Sequence, residues 1–201
     1  MQRTRYISQT ARRPRALCAL CLCLTAILLG SSSSAMSQSV GSIMLYSDPD
    51  GTSCEVAGNP STQITIYVLH RFHTGVTSSQ FKIEHNGTNW TWIADQPQNG
   101  TLTTGTTNIG GSFAYESCVS DPFSFVNVLY QSYGTAGVCS FLQVVPSPGA
   151  LSGNIEAVDC ASGKFPAGDS KVTVNPDADC VCGNPISLQE TNWSRIKALY
   201  Q

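Results

Sequence analysis

Along most of this chain, apolar and polar residues alternate with the two-residue period of β-strands. In Ser79-Gln80-Phe81-Lys82-Ile83-Glu84, Phe81 and Ile83 share one face, while Gln80, Lys82 and Glu84 share the other. Residues 64–70 place Ile64, Ile66 and Val68 on one side, and Tyr67 and Leu69 opposite them suggest cover there too. Residues 43–46 read as a first strand, ended by the turn Asp48-Pro49-Asp50-Gly51. Residues 90–94, 123–131, 139–145, 155–160 and 171–174 bring the set to about eight strands. Within 123–131, Phe123 and Phe125 share a face but Val126, Val128 and Tyr130 share the other, which predicts a bulge or a strand covered on both sides.

The punctuation between these runs completes the architecture. Tyr133-Gly134-Thr135-Ala136-Gly137 reads as a hairpin turn between its flanking strands, and the Gly/Thr-rich residues 99–111 read as a mobile loop. Short strands at this spacing predict an all-β sandwich over residues 38–186. The tail, 187–201, differs in character. Trp193, Ile196 and Tyr200 recur at helical spacing behind Thr191 as an N-cap, so a short C-terminal helix is expected. Such a helix is marginal alone and needs cover from the sandwich or from a partner.

The first 37 residues have the pattern of a removable export signal. Arg3, Arg5, Arg12, Arg13 and Arg15 precede an apolar run over 16–29, and small residues around Ser33, Ala35 and Ser37 offer a cleavage site. The Arg12-Arg13 pair raises the twin-arginine route, but the context Ala11-Arg12-Arg13-Pro14-Arg15 favours ordinary secretion. The apolar run is too short to span a bilayer, and no membrane span is expected. The segment carries five of the eleven basic residues and none of the thirteen acids, so its removal leaves a net charge of −7. With no basic stripe to displace counterions from phosphates, a nucleic-acid partner is excluded.

Cleavage also removes Cys18, Cys21 and Cys23, leaving Cys54, Cys118, Cys139, Cys160, Cys180 and Cys182 for three disulfides. A bond between Cys180 and Cys182 needs a strained ring, so each should find its own partner. Cys118 and Cys139 should sit near opposite ends of the 123–132 strand, roughly 30 Å apart. These considerations suggest Cys160 with Cys180 or Cys182, and Cys54 with Cys118 or Cys139. Zinc held by Cys180-Val181-Cys182 is the competing reading, disfavoured by an oxidising compartment.

Few residues offer chemistry. His70 and His73 lie three apart, which on a strand sends their rings to opposite faces. Asp48, Asp50 and Glu55 crowd one turn and Asn175, Asp177 and Asp179 another. The second lacks the glycine and terminal acid of a calcium loop, and turn-forming side chains explain both. Trp90 and Trp92 share a strand face, so a sugar-binding platform competes with ordinary core packing. Asn86-Gly87-Thr88, Asn89-Trp90-Thr91 and Asn192-Trp193-Ser194 fit the N-glycosylation pattern. No nucleophile elbow, P-loop, dinucleotide fingerprint or HExxH occurs, and no cofactor is expected.

The ending Thr191-Asn192-Trp193-Ser194-Arg195-Ile196-Lys197-Ala198-Leu199-Tyr200-Gln201 resembles a signature of exported bacterial proteins of unknown role, which close with T-T-W-G-x-I-K-A-L-Y-R or a near variant. Their early strand and turn are matched, except at Met44, by Ile43-Met44-Leu45-Tyr46-Ser47-Asp48 and Gly51-Thr52-Ser53-Cys54. The resemblance implies a secreted sandwich similar to immunoglobulin- or cohesin-like modules, and it carries no catalytic residues. The expectation is therefore a non-enzymatic binding or surface-assembly module, extracellular, cell-surface or periplasmic, whose partner is an extracellular protein or a glycan. Its rivals are a carbohydrate-binding module using Trp90 and Trp92, and an enzyme assembled from dispersed residues such as His70, Glu84 and His85.

Overall fold

Alternation becomes pairing: the predicted strands sort into two sheets packed face to face. The computed structural model describes residues 40–181, which contain strands and turns and no helix. One sheet is antiparallel in the order β1 (Val40–Tyr46), β3 (Gln63–His73), β8 (Phe123–Ser132), β5 (Trp90–Pro97). The other is built around β4 (Val76–Asn86). Its first half pairs with β7 (Gly110–Val119) and β10 (Glu156–Asp159), its second half with β9 (Ser140–Val145). β6 (Leu102–Thr106) extends β7, β11 (Lys164–Pro166) extends β10, and β12 (Lys171–Val174) lies between β9 and the short parallel β2 (Glu55–Val56). The free edge of β1 is closed by the segment leading into β12, with Ile43 N donating to Gly168 O at 3.0 Å and Leu45 N to Ser170 Oγ at 2.7 Å.

All eight expected strands are present, with four more. Residues 99–111 are not simply a loop, because β6 and the start of β7 form a hairpin there. Asp95 anchors its turn, accepting from Thr107 N and Thr107 Oγ1, both at 2.6 Å. Ladder bonds and this carboxylate hold a threonine-rich hairpin that has little apolar alternation. The hairpin expected at residues 133–137 is also corrected. β8 and β9 belong to different sheets and never pair, so the connection crosses the sandwich. The expected signal, 1–37, and the helical tail, 187–201, lie outside the described residues.

The core fills the space between the inner faces. β1, β3 and β8 supply Ile43, Leu45, Ile64, Ile66, Val68, Val126 and Val128, facing Ile83, Leu142, Val144, Ala157, Val172 and Val174 of the second sheet. At its centre Phe81 of β4 stacks on Phe113 of β7, with ring centroids 4.8 Å apart, and both meet Phe125 of β8 edge-on at 5.8 and 5.5 Å. Phe125 arrives there through a register shift opposite Val68/Leu69, the bulge predicted from the switch of faces.

Two disulfides lie within the described residues, Cys118–Cys160 and Cys139–Cys180. Neither Cys160 with Cys180 nor Cys54 with Cys118 or Cys139 is formed. Cys54 is disulfide-bonded as well, and Cys182 lies outside the described residues. Gly75 sits directly beneath the first bridge, where an added Cβ would stand 2.9 Å from Cys160 Sγ and 3.1 Å from Cys118 Sγ. Only glycine leaves the sulfurs their room.

Truncating the central ring is expected to be costly. Phe81→Ala should lower the unfolding free energy by about 3–5 kcal/mol, whereas Ile109→Ala, at an exposed turn, should change it by less than ~0.5 kcal/mol. Urea unfolding of both variants checks this.

Candidate functional site

The sandwich has two open ends, and they are finished in different ways. At the first end, residues 133–139 carry the chain from one sheet to the other. Asn89 Nδ2 donates to Thr135 O at 2.8 Å, and Tyr133 N donates back to Asn89 O at 3.2 Å. Asn175 reaches both ways, its Nδ2 donating to Ala136 O at 2.8 Å and its Oδ1 accepting from Gly58 N at 2.7 Å. Gly137 N bonds Gly87 O at 3.1 Å, Cys139 N bonds Asn175 O at 3.1 Å, and the Cys139–Cys180 bridge locks the base.

Ser61, Asn89, Cys139 and Asn175 are four of the seven non-glycine residues with positive φ among the described residues, and all four belong to this end. Asparagine enters that region at little cost, serine and cysteine less readily, so the loop is held in shape against a local backbone preference. On this frame Tyr133 and Val138 stand out to solvent, 69% and 65% exposed. A shallow depression of about 440 Å³ lined by Glu55, Val56, Ala57, Asn175 and Pro176 shares Asn175 with this end.

The second end buries its polar groups. His70 Nε2 lies 2.6 Å from Val40 O, and Nδ1 lies 3.1 Å from the Tyr115 hydroxyl, which also bonds Ser79 Oγ at 2.8 Å. Contrary to the strand-period expectation, the His70 and His73 rings meet, with centroids 4.7 Å apart. Phe72 between them takes a φ of 63°, and Gly41 on the facing strand a φ of 70°. The kink turns Phe72 outward and returns His73 to the face of His70. Neither ring nitrogen of His73 has a hydrogen-bond partner among the described residues. Burial lowers the His70 pKa to about 3, helped by repulsion from His73 and opposed by the Val40 carbonyl. Burial lowers that of His73 too, although the Asp121 charge opposes it. Arg71 Nε pairs with Asp121 Oδ1 at 3.4 Å beside them. Both imidazoles are closed off from solvent, so their chemistry is structural.

The remaining sequence candidates do not assemble. Trp90 is 2% exposed and packs on Tyr130 in the core, while Trp92 is half-buried on the same inner face with Nε1 donating to Asp95 at 2.9 Å. The two indoles therefore make no open sugar platform. Glu84 and His85 are exposed beside a depression of about 230 Å³, with Glu84 paired to Lys82 at 2.9 Å. Ser79, which shares Tyr115 with His70, is five residues up the same strand from Glu84, or about 17 Å. The dispersed enzyme site is thus not brought together.

Asp48 is occupied by its own turn, accepting from the Thr52 and Ser53 amides and the Thr52 hydroxyl. Partial desolvation opposes ionisation there, but these donors hold its carboxyl below the usual range. Asp177 lies against Cys139 and Cys180, whose sulfurs are joined to each other, so the zinc reading loses its thiolate at Cys180. Sequence reasoning does not single out Tyr133 or Val138: the first falls in the expected turn and the second between that turn and the strand expected from 139.

No protein-family profile matches the sequence, and no curated protein matches it. Solved structures do. A cohesin module from a Clostridium perfringens family 33 glycoside hydrolase aligns with a TM-score of 0.51 at 10% identity, covering 69% of this chain and 99% of that one. A type II cohesin domain from the Acetivibrio cellulolyticus cellulosome gives 0.49 at 12% identity over 72% and 97%. A non-cellulosomal cohesin from Archaeoglobus fulgidus gives 0.46 at 12% over 66% and 89%. At such identities the first of these shows the fold alone: the chain is a cohesin-like β-sandwich. No helix among the described residues is long and apolar enough to cross a membrane.

The buried histidines set a pH dependence. Above pH 6.5 both are neutral whether the chain is folded or unfolded. Below it the unfolded chain takes up protons that the fold refuses, so stability falls with pH until about pH 3, where folded His70 itself titrates. Between pH 7.5 and 5, His70 should account for a loss of about 2 kcal/mol, with His73 adding in the same direction. Urea midpoints across this range should fall for the parent and fall less steeply for His70→Gln.

Proposed function

We propose that this chain is an exported, non-enzymatic sandwich module that binds a protein partner through the end formed by residues 133–139. The observation that carries the reading is that loop. Side-chain clamps from Asn89 and Asn175 and a disulfide fix its backbone, and it presents a tyrosine and a valine to water. Ordering such a loop before binding reduces the entropy lost on association, and a rigid aromatic anchor gains the most from burial.

Other observations support the same reading. The signal-like first 37 residues and five disulfide-bonded cysteines fit an oxidising compartment. The net charge of −7 left by signal removal disfavours polyanions. Likeness to a cohesin module adds an analogy with modules that take part in assembly. The histidines and most acidic turns serve the fold, which leaves recognition as the task of the surface.

Cross-linking in the native host envelope, followed by mass spectrometry, tests this reading. The parent should give a discrete protein adduct, and Tyr133→Ser/Val138→Ser should weaken it by about 30-fold with no change in melting temperature. Persistence of the adduct in the double variant would move the contact elsewhere. Retention of the parent on glycan and not on protein would favour the carbohydrate alternative.

A further inference from the structure

The sheet formed by β1, β3, β8 and β5 has an outer face, and one half of it is apolar. Ile43 and Leu45 point into the core, so Met44 and Tyr46 point away from it. Across the ladder they meet Leu69 and Tyr67, making an apolar cluster separate from the main core. Towards β8 and β5 the same face becomes mixed, with Asn127, Gln131, Thr91 and Gln96 around Leu129 and Ala94. Met44, Leu69 and Tyr46 are only 1%, 4% and 5% exposed, although they lie on the side of the sheet that has no second sheet. Gly51, in the turn after β1, rests against the side chains of Leu69 and Tyr46 and covers one corner.

We propose that residues 191–200 dock as a short helix on this face of β1 and β3, rooted there by a disulfide between Cys54 and Cys182. The root follows from the cysteines. Four are paired with one another and Cys54 is bonded, so loss of the signal cysteines leaves Cys182 as its partner. Cys54 stands immediately after the turn that Ser47 and Ser53 close at 2.8 Å, and Gly51 of that turn touches the apolar cluster. A tail rooted at Cys54, whose own side chain lies in the main core, would start three residues from the contact of Gly51 with that cluster.

Reach and shape agree. The eleven residues from Cys182 to Trp193 span up to about 36 Å when extended. A ten-residue helix is about 15 Å long, enough to cross both β1 and β3, whose axes lie about 5 Å apart. Trp193, Ile196 and Tyr200 form its apolar stripe, flanked by Arg195 and Lys197. At the edge of the cluster the Tyr46 phenol is bonded by Arg71 and lies within electrostatic range of Asp121 and Asp48, both of which are already engaged within the fold. This inference depends on export only for the choice of Cys182, and it does not depend on the binding role of residues 133–139.

Cleavage after Ser37 leaves Met44 as the single methionine, so its oxidation reports cover on this face alone. Peroxide oxidation of the mature protein, followed by mass spectrometry, should be at least tenfold faster when residues 191–201 are deleted. A synthetic peptide of residues 187–201 should restore the protection. Should the deletion impair folding, Trp193→Ser/Ile196→Ser in the full chain carries the same expectation, with unchanged circular dichroism. Equal oxidation rates with and without the tail would overturn the docking. So would protection that appears only at concentrations where light scattering shows dimers, which would mean that a second copy supplies the cover. A non-reducing digest should yield the Cys54–Cys182 peptide, and Cys54 joined to any other cysteine would overturn the root.

Discussion

Phe125 reaches the centre of the sandwich because β8 carries one residue more than β3 can pair. Strict alternation would turn either Phe125 or Val126 outward. The register shift opposite Val68/Leu69 lets both bury. Phe125 then fills the gap between the sheets against Phe81 and Phe113, the place where two faces roughly 10 Å apart need large side chains from both sides. Tyr115, two residues beyond Phe113 on β7, packs on Phe123 and Phe125 at 4.8 and 5.4 Å. That packing aims its hydroxyl at Ser79 and His70. The buried polar end of the molecule therefore depends on the same extra residue as the apolar centre.

Each end of the sandwich is closed by its own bridge, as the length of β8 requires: Cys118 precedes that strand and Cys139 follows it. The sequence separations, 42 and 41 residues, are nearly equal. On a chain-entropy account each bridge stabilises by roughly 4 kcal/mol through the unfolded state. The bridges also free the loops from contributing much core. At one end Gly75 gives the sulfurs room and the histidines fill the remaining space. At the other, the loop is fixed by backbone and asparagine bonds, and its larger side chains stay in solvent.

The eight strands were legible because their alternation is carried by large apolar residues, and the bulge because Phe125-Val126 breaks that alternation visibly. β6 was not, since Thr103, Thr104 and Gly105 pair through the ladder and an Asp95 anchor that lies elsewhere in sequence. A glycine-rich segment between two strands looks the same whether it makes a hairpin or crosses between sheets, so residues 133–137 were misread. The histidine pair was misread because the strand period holds only while φ stays negative, and Phe72 departs from it. The expected disulfide pairings failed for a similar reason: excluding a strained ring and a strand-length gap does not say which end of the sandwich each cysteine reaches. Trp90 looked like half a platform because alternation gives the face a residue shares and not whether that face is inner or outer.

The contrast between the ends also constrains where recognition can occur. At the histidine end the buried side-chain donors and acceptors among the described residues are engaged within the fold, apart from the two nitrogens of His73 and Arg71 Nε, which has only its ion pair with Asp121, and opening it to a ligand would expose an apolar aromatic layer. Binding there would have to repay much of the folding energy of that region. At the loop end the backbone bonds are satisfied whether or not Tyr133 and Val138 are covered, so a partner gains their burial without disturbing a bond of the fold. On the proposed reading, an association surface that costs the fold least is the loop carrying Tyr133 and Val138, whose Thr135 and Ala136 carbonyls are already held by Asn89 and Asn175.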